Sequence, residues 1–194
     1  MLGRYGWINM TEKFPNTEQS RNLWAPWRME YINTLGESGA KGGCFLCRDR
    51  DEPANDAENL VLFRGRESFV VMNRFPYSSG HCLVSPLAHV GELGDLSDPA
   101  RLEIMQLLCD TQTILAQTLR CDGFNVGINI GRCAGAGLPG HLHIHLVPRW
   151  AADANFMSVL AGIRVIPQTL PQMRDQILRT AQSLGLPKSS HIAT

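Results

Sequence analysis

Apolar residues alternate with other residues over several short stretches and recur every three or four positions over one long one. NLVLFRG (59–65) and SFVVMN (68–73) read as strands joined by a Gly65-Arg66-Glu67 turn, and HCLVSP (81–86) as a third strand ended by Pro86. Ile104, Leu107, Leu108, Thr111, Ile114, Leu115 and Leu119 then fall on one broad face of a helix over roughly 99–119, behind an Asp98-Pro99 start signal. FNVGINIG (124–131) alternates Val126, Ile128 and Ile130 with Asn125, Gly127 and Asn129, and HLHIHLVPRW (141–150) is a further strand. A glycine-rich loop, RCAGAGLPG (132–140), lies between them, and a final helix spans about 168–184. Upstream, NLWAPWRMEYINTL (22–35) predicts a short helix starting near Pro26, and ESGAKGG (37–43) a turn leading to Cys44. Residues 1–21 read as a flexible arm, 22–185 as one domain and 186–194 as a flexible tail. Antiparallel-looking strands with one long inserted helix make the class α+β rather than a βαβ series.

Composition narrows the function. The 194 residues are 44% hydrophobic, enough for one real core, and 18 basic residues balance 18 acidic ones. That balance carries no polybasic footprint, so nucleic acid is not an expected partner. No apolar run approaches the length of a membrane span, and the first residues lack the apolar core of a signal peptide. The expectation is a cytoplasmic protein without membrane attachment, its six cysteines reduced. Cys82, Cys109 and Cys121 read as core thiols, and Cys133 in the glycine-rich loop has no assigned role. Fifteen of the 18 basic residues are arginine, whose planar fork suits phosphate oxygens.

The chemistry concentrates at His141, His143 and His145. Three of the six histidines share one face of one extended segment, with Leu142, Ile144 and Leu146 on the other. Two chemistries fit: a metal site with imidazole ligands, or a nucleophilic histidine attacking phosphorus. The adjoining loop favours the second, because backbone N–H groups around Gly135, Gly137 and Gly140 can approach phosphate oxygens closely. Cys44-Phe45-Leu46-Cys47 reads as half a zinc site or as a redox pair. His89 and His141 are the plausible partners of a Cys₂His₂ site, which is favoured because no βαβ context surrounds the pair.

HLHIHLV resembles the signature of the histidine-triad (HIT) superfamily of nucleotidyl hydrolases and transferases. SFVVMNRFPYSSGHCLVSPLAHV is similar to its nucleotide-pocket segment. GFNVGINIGRCAGAGLPGHLHIHLVPRWAADANFM, LWAPWRMEYI and IRVIPQ resemble the diadenosine tetraphosphate phosphorylase branch. The resemblance implies a HIT-like fold: a five-stranded antiparallel sheet with one long inserted helix and a C-terminal helix, paired into a homodimer. It implies that His143 attacks the α-phosphorus of a purine nucleotide or dinucleoside polyphosphate, giving a nucleotidyl-histidine intermediate. His145 and His81 would contact phosphate or orient the nucleophile, Asn73 would meet the ribose, and Asn129 would bond near the α-phosphate. Zinc-bearing relatives such as the galactose-1-phosphate uridylyltransferases imply a structural zinc on Cys44, Cys47, His89 and His141. Many relatives carry a polar residue just before the triad; here the stretch is Gly137-Leu138-Pro139-Gly140, which leaves hydrolysis, phosphorolysis and transfer all open. Three alternatives stand beside this reading. They are a hydrolase of nucleoside phosphoramidates or other nucleotide conjugates, a metal-dependent hydrolase, and a nucleotide-binding regulator with vestigial catalysis. Arg132 and Arg149 flank the loop and strand, placed either to reach distal phosphates or as ordinary surface arginines.

Overall fold

The structure, a computed structural model, describes residues 43–151, 153, 168–188 and 191–192. The arm over 1–21, the helix expected near Pro26 and residues 163–167 of the IRVIPQ segment lie outside the described residues. Five strands follow the expected segments: β1 (Val61–Arg64), β2 (Ser68–Met72), β3 (Cys82–Pro86), β4 (Gly123–Ile128) and β5 (Ile144–Arg149). A two-residue β6 (His191–Ile192) pairs with β1, so the antiparallel sheet runs β4-β5-β3-β2-β1-β6. The five expected strands form the sheet, and β6 adds a two-residue pairing from within the segment expected to be a tail over 186–194. Leu186 packs against the core, the Lys188 N–H donates to Asp110 Oδ2 at 3.1 Å, and β6 lies along the outer edge of β1. A segment this short carries no alternation that could announce a strand.

Among the described residues, four α-helices accompany the sheet: α1 (Phe45–Asp51), α2 (Asp56–Asn59), α3 (Asp98–Leu119) and α4 (Leu170–Leu184). Ser97 caps α3 by accepting from the Ala100 N–H, with Pro99 in its first turn. Thr169 and Gln172 form a reciprocal capping box on α4. The faces of α3 and α4 that carry Ile104, Leu107, Ile114, Leu115, Met173 and Ile177 bury against one side of the sheet. There they meet Leu62, Val70, Met72, Cys82, Val84, Ile144 and Leu146. The strands' alternate positions, Val61, Phe69, Val71 and Leu83, form a second cluster on the opposite side, closed by Leu46 of α1 and by Leu138. A register shift between Val61 and Phe63 lets neighbouring Leu62 and Phe63 both join the helix side.

Cys82 is buried as expected, and burial pushes its thiol up to about 12. Cys109 is exposed, correcting its reading as a core thiol: it falls outside the α3 stripe that faces the sheet. No helix among the described residues is long and apolar enough to cross a membrane.

Candidate active site and metal centre

The side of the sheet away from α3 and α4 carries the chemistry. β5 begins at Ile144, so His141 and His143 precede the strand, which corrects the expectation of one strand over 141–150. The ladder between β3 and β5 reaches Val84↔Ile144 and stops. Pro86 has no N–H to extend it, and the buried Ser85 hydroxyl donates to the Leu142 carbonyl instead, at 2.9 Å. The three histidines therefore do not act as one row. His141 turns into a cluster with Cys44, Cys47 and His89, while His143 and His145 meet edge-to-face with ring centroids 5.0 Å apart.

Each imidazole's proton follows from the group facing it. His143 Nδ1 lies 2.8 Å from the His141 carbonyl, an acceptor, so Nδ1 carries the hydrogen and Nε2 keeps a lone pair. Burial holds the His143 pKa below its ordinary value despite that hydrogen bond, which keeps the ring neutral. His81 is fully buried, and its Nδ1 accepts from the Tyr77 N–H at 3.1 Å. Its Nε2 must then donate to His145 Nδ1, 3.0 Å away, and His145 is left with its hydrogen on Nε2. The site thus pairs a lone pair on His143 with a donor on His145.

Of the remaining predicted residues, Asn73 lies beside His81 and Gly140 beside His89. Asn73 follows β2, and its amide lies 3.4 Å from His81 Nδ1 while its carbonyl oxygen accepts from the Phe75 N–H. In the β4–β5 register Gly127 faces His145 and Ile128 faces Ile144, and Asn129 follows β4 directly. A side chain built at Gly127 would meet nothing within 4 Å, so the space beside His145 is open on the β4 side. In the loop before the triad, Gly135 adopts φ of 82°, a left-handed conformation that closes the short turn Arg132–Ala134. Gly137 and Gly140 are exposed along the same loop. Arg149 is tied to Asp153 and to Asn125 Oδ1, the latter at 2.5 Å, so of its two readings the structure gives a surface ion pair.

The metal-type cluster is equally specific. Cys44 caps α1, accepting from the Cys47 N–H at 3.4 Å, so one turn of helix brings both sulfurs to the same side. His141 Nε2 donates to the Pro86 carbonyl at 2.9 Å, which aims its Nδ1 lone pair at Cys44 Sγ (3.2 Å) and Cys47 Sγ (3.5 Å). His89 Nδ1 lies 3.2 Å from Cys47 Sγ, and all four donor atoms fall within 4.8 Å of one another. Tetrahedral zinc places sulfur and nitrogen ligands about 3.5 Å apart, so the donor set and spacing fit that ion. Burial pushes the Cys44 thiol up to about 11, outweighing the hydrogen bond from the Cys47 N–H, which lowers it. The His89 segment also presses on the glycine-rich loop: a Cβ at Gly91 would stand 2.7 Å from the Pro139 carbonyl oxygen.

Sequence reasoning passed over Tyr77, whose ring stacks on His81, and Ser85, which anchors the segment between two triad histidines. An aromatic four residues before a histidine has no spacing signature of its own. Ser85 gains meaning only once β3 lies beside residues 142–144.

Residues 54–152 match the HIT domain model. An AP-4-A phosphorylase of Mycobacterium tuberculosis is 39% identical over 163 residues, 81% of this chain and 82% of that one. An asymmetrical bis(5'-nucleosyl)-tetraphosphatase of Schizosaccharomyces pombe is 31% identical over 93 residues, 48% of this chain and 50% of its own length. A Zn-bound histidine triad family protein from Mycobacterium smegmatis superposes with a TM-score of 0.59 at 22% identity, over 74% of this chain and 96% of that one, and so shares the fold. With the family model spanning half the chain and a relative matched along most of its length, the chain belongs to the HIT family.

Proposed function

We propose that this protein transfers a nucleotidyl group from a purine dinucleoside polyphosphate, through a nucleotidyl-histidine on His143, to inorganic phosphate. The observation that carries the reading is the tautomer of His143. Its Nδ1 hydrogen is held by the His141 carbonyl, and burial keeps the ring neutral, which leaves Nε2 as the nucleophile. That lone pair forms an N–P bond to the α-phosphorus as the P–O bond to the leaving polyphosphate breaks and its electron pair departs with the leaving nucleotide. Nδ1 keeps its proton, so positive charge develops on the ring against the His141 carbonyl oxygen. The His145 Nε2–H and the loop amides around Gly135, Gly137 and Gly140 stabilise the negative charge on the phosphoryl oxygens, with the Asn129 amide beside them. A phosphate oxygen then attacks phosphorus on the open face, and the N–P electrons return to Nε2.

The choice of substrate follows from what the site can donate. A polyphosphate leaving group departs as an anion without being protonated, whereas the amine of a phosphoramidate must gain a proton. The residues just before the triad, Gly137-Leu138-Pro139-Gly140, bring no ionisable side chain for that task. The same lack favours an acceptor that arrives already deprotonated, such as phosphate, over water. The relative named as a phosphorylase, matched over 81% of this chain, supports this choice.

The proposal extends to the surroundings. Cys44, Cys47, His89 and His141 hold one structural zinc; with four protein ligands it offers no open position and acts as a crosslink. Asn73 meets the ribose. The chain forms a homodimer, supported by the outer edge of β4, where Val126 is half exposed; a single monomer-mass peak in light scattering would contradict it. Six free cysteines fit a reducing, cytoplasmic setting. The test is product analysis with diadenosine tetraphosphate, with and without phosphate, beside His143→Ala. Phosphate-dependent release of ADP and ATP, lost in His143→Ala, is expected. Turnover unchanged in that variant would overturn the nucleophile assignment, and phosphate-independent products would overturn phosphorolysis.

A further inference from the structure

We propose that Tyr77 is a positioning residue for nucleotidyl transfer, its backbone N–H and its ring together fixing the tautomer and the plane of the His81–His145 pair. The proposal rests on the reading of His143 as nucleophile and adds a residue outside the triad. Three rings form a short stack. Tyr77 lies over His81 at 4.7 Å between centroids and 29° between planes, and over His145 at 6.0 Å and 23°. His81 and His145 stand 5.2 Å apart at 40°, and His145 meets His143 edge-on.

The hydrogen-bond order gives the stack its direction. The Tyr77 N–H donates to His81 Nδ1, which obliges His81 Nε2–H to donate to His145 Nδ1, which leaves the hydrogen of His145 on Nε2. Were His81 to carry its hydrogen on Nδ1 instead, its Nε2 would accept and His145 would turn its own hydrogen inward. A lone pair would then face the phosphoryl oxygens where a donor is needed. The Tyr77 N–H and, at 3.4 Å, the Asn73 side-chain amide both face His81 Nδ1, and neither group ionises, so both hold the same orientation of the ring. Stacking on both imidazoles opposes the ring rotation that would exchange nitrogen for carbon at the bonded positions.

Tyr77→Phe keeps the ring and the N–H; Tyr77→Ala removes the ring. The test compares both with the full-length, zinc-loaded protein labelled with ¹⁵N-histidine, reading ring-nitrogen shifts, zinc content, kcat and KM. Tyr77→Phe is expected to keep the original tautomers. Tyr77→Ala is expected to show mixed tautomers at His145 and a kcat lowered about three- to tenfold, the range aromatic pairing supports, with KM changed less. An unchanged ¹⁵N pattern in Tyr77→Ala would overturn the assignment, whether or not activity falls. If Tyr77→Ala does not fold, Tyr77→Leu carries the same comparison. Turnover that survives His143→Ala would instead overturn the nucleophile reading while leaving the ¹⁵N result to stand, so the two failures are distinguishable.

Discussion

Replacing Glu103 by Gln is expected to destabilise the fold by about 2–3 kcal/mol at neutral pH, and the difference should shrink on acidification. Glu103 lies on α3 but reaches the β1–β2 turn, where its carboxylate accepts from the Arg66 N–H at 2.9 Å, the Glu67 N–H at 2.8 Å and the Ser68 hydroxyl at 2.7 Å. The turn is moulded on it: a Cβ at Gly65 would stand 2.5 Å from a carboxylate oxygen. A glutamine keeps one of the two acceptor oxygens and points an amide donor at the other N–H. That loses one or two bonds to a charged acceptor, each worth roughly 1.5–3 kcal/mol, part of which a shift of the turn would recover. In a chain of this size such a loss lowers Tm by roughly 5–10 °C.

The pH dependence fixes the cause. Burial alone would raise the Glu103 pKa; the bonds from Arg66, Ser68 and Glu67 outweigh it and hold the carboxyl below its ordinary value of 4.5. A folded pKa below the unfolded one contributes stability that is fully present above the unfolded value and lost as pH falls through the folded one. Thermal melts of both proteins from pH 7 down to about 3 should show a constant gap at first, narrowing below about 4.5. A gap unchanged at the acid end, or no gap at neutral pH, would refute the reasoning.

Two further outcomes bear on the site. Stripping metal with a chelator, or replacing Cys47 by Ala, should lower zinc content from about one ion per chain towards none and reduce Tm by several degrees, as mass spectrometry and calorimetry would show. Ser85→Ala should cost roughly 1–2 kcal/mol in denaturant unfolding by leaving the Leu142 carbonyl unpaired. It should also lower kcat, because residues 141–143 have no strand pairing to hold them; wild-type kcat would contradict that.

The strands and α3 were legible because burial on one face leaves a period of two or of 3.6 in the sequence, and these elements bury one face each. The Cys₂His₂ set was legible because a one-turn helix fixes the separation of Cys44 and Cys47, while the two histidines sit at conspicuous strand ends. Other features leave no local period. β6 is two residues long, and α1 follows its cap Cys44 after a Lys-Gly-Gly stretch that reads as a turn. His141 shows most clearly where pattern reading stops. Spacing puts it in a row with His143 and His145, yet its ring joins Cys44 and Cys47 while its carbonyl accepts from His143 Nδ1. That division depends on Pro86, which ends the ladder and offers its own carbonyl to His141 Nε2, and on Ser85, which holds the intervening Leu142. Both lie more than fifty residues away, on a strand whose place beside β5 no local pattern specifies. One residue therefore joins the Cys44–Cys47–His89 cluster to His143 through two different groups, and a zinc held by the proposed four ligands would govern where His143 Nε2 points without touching substrate.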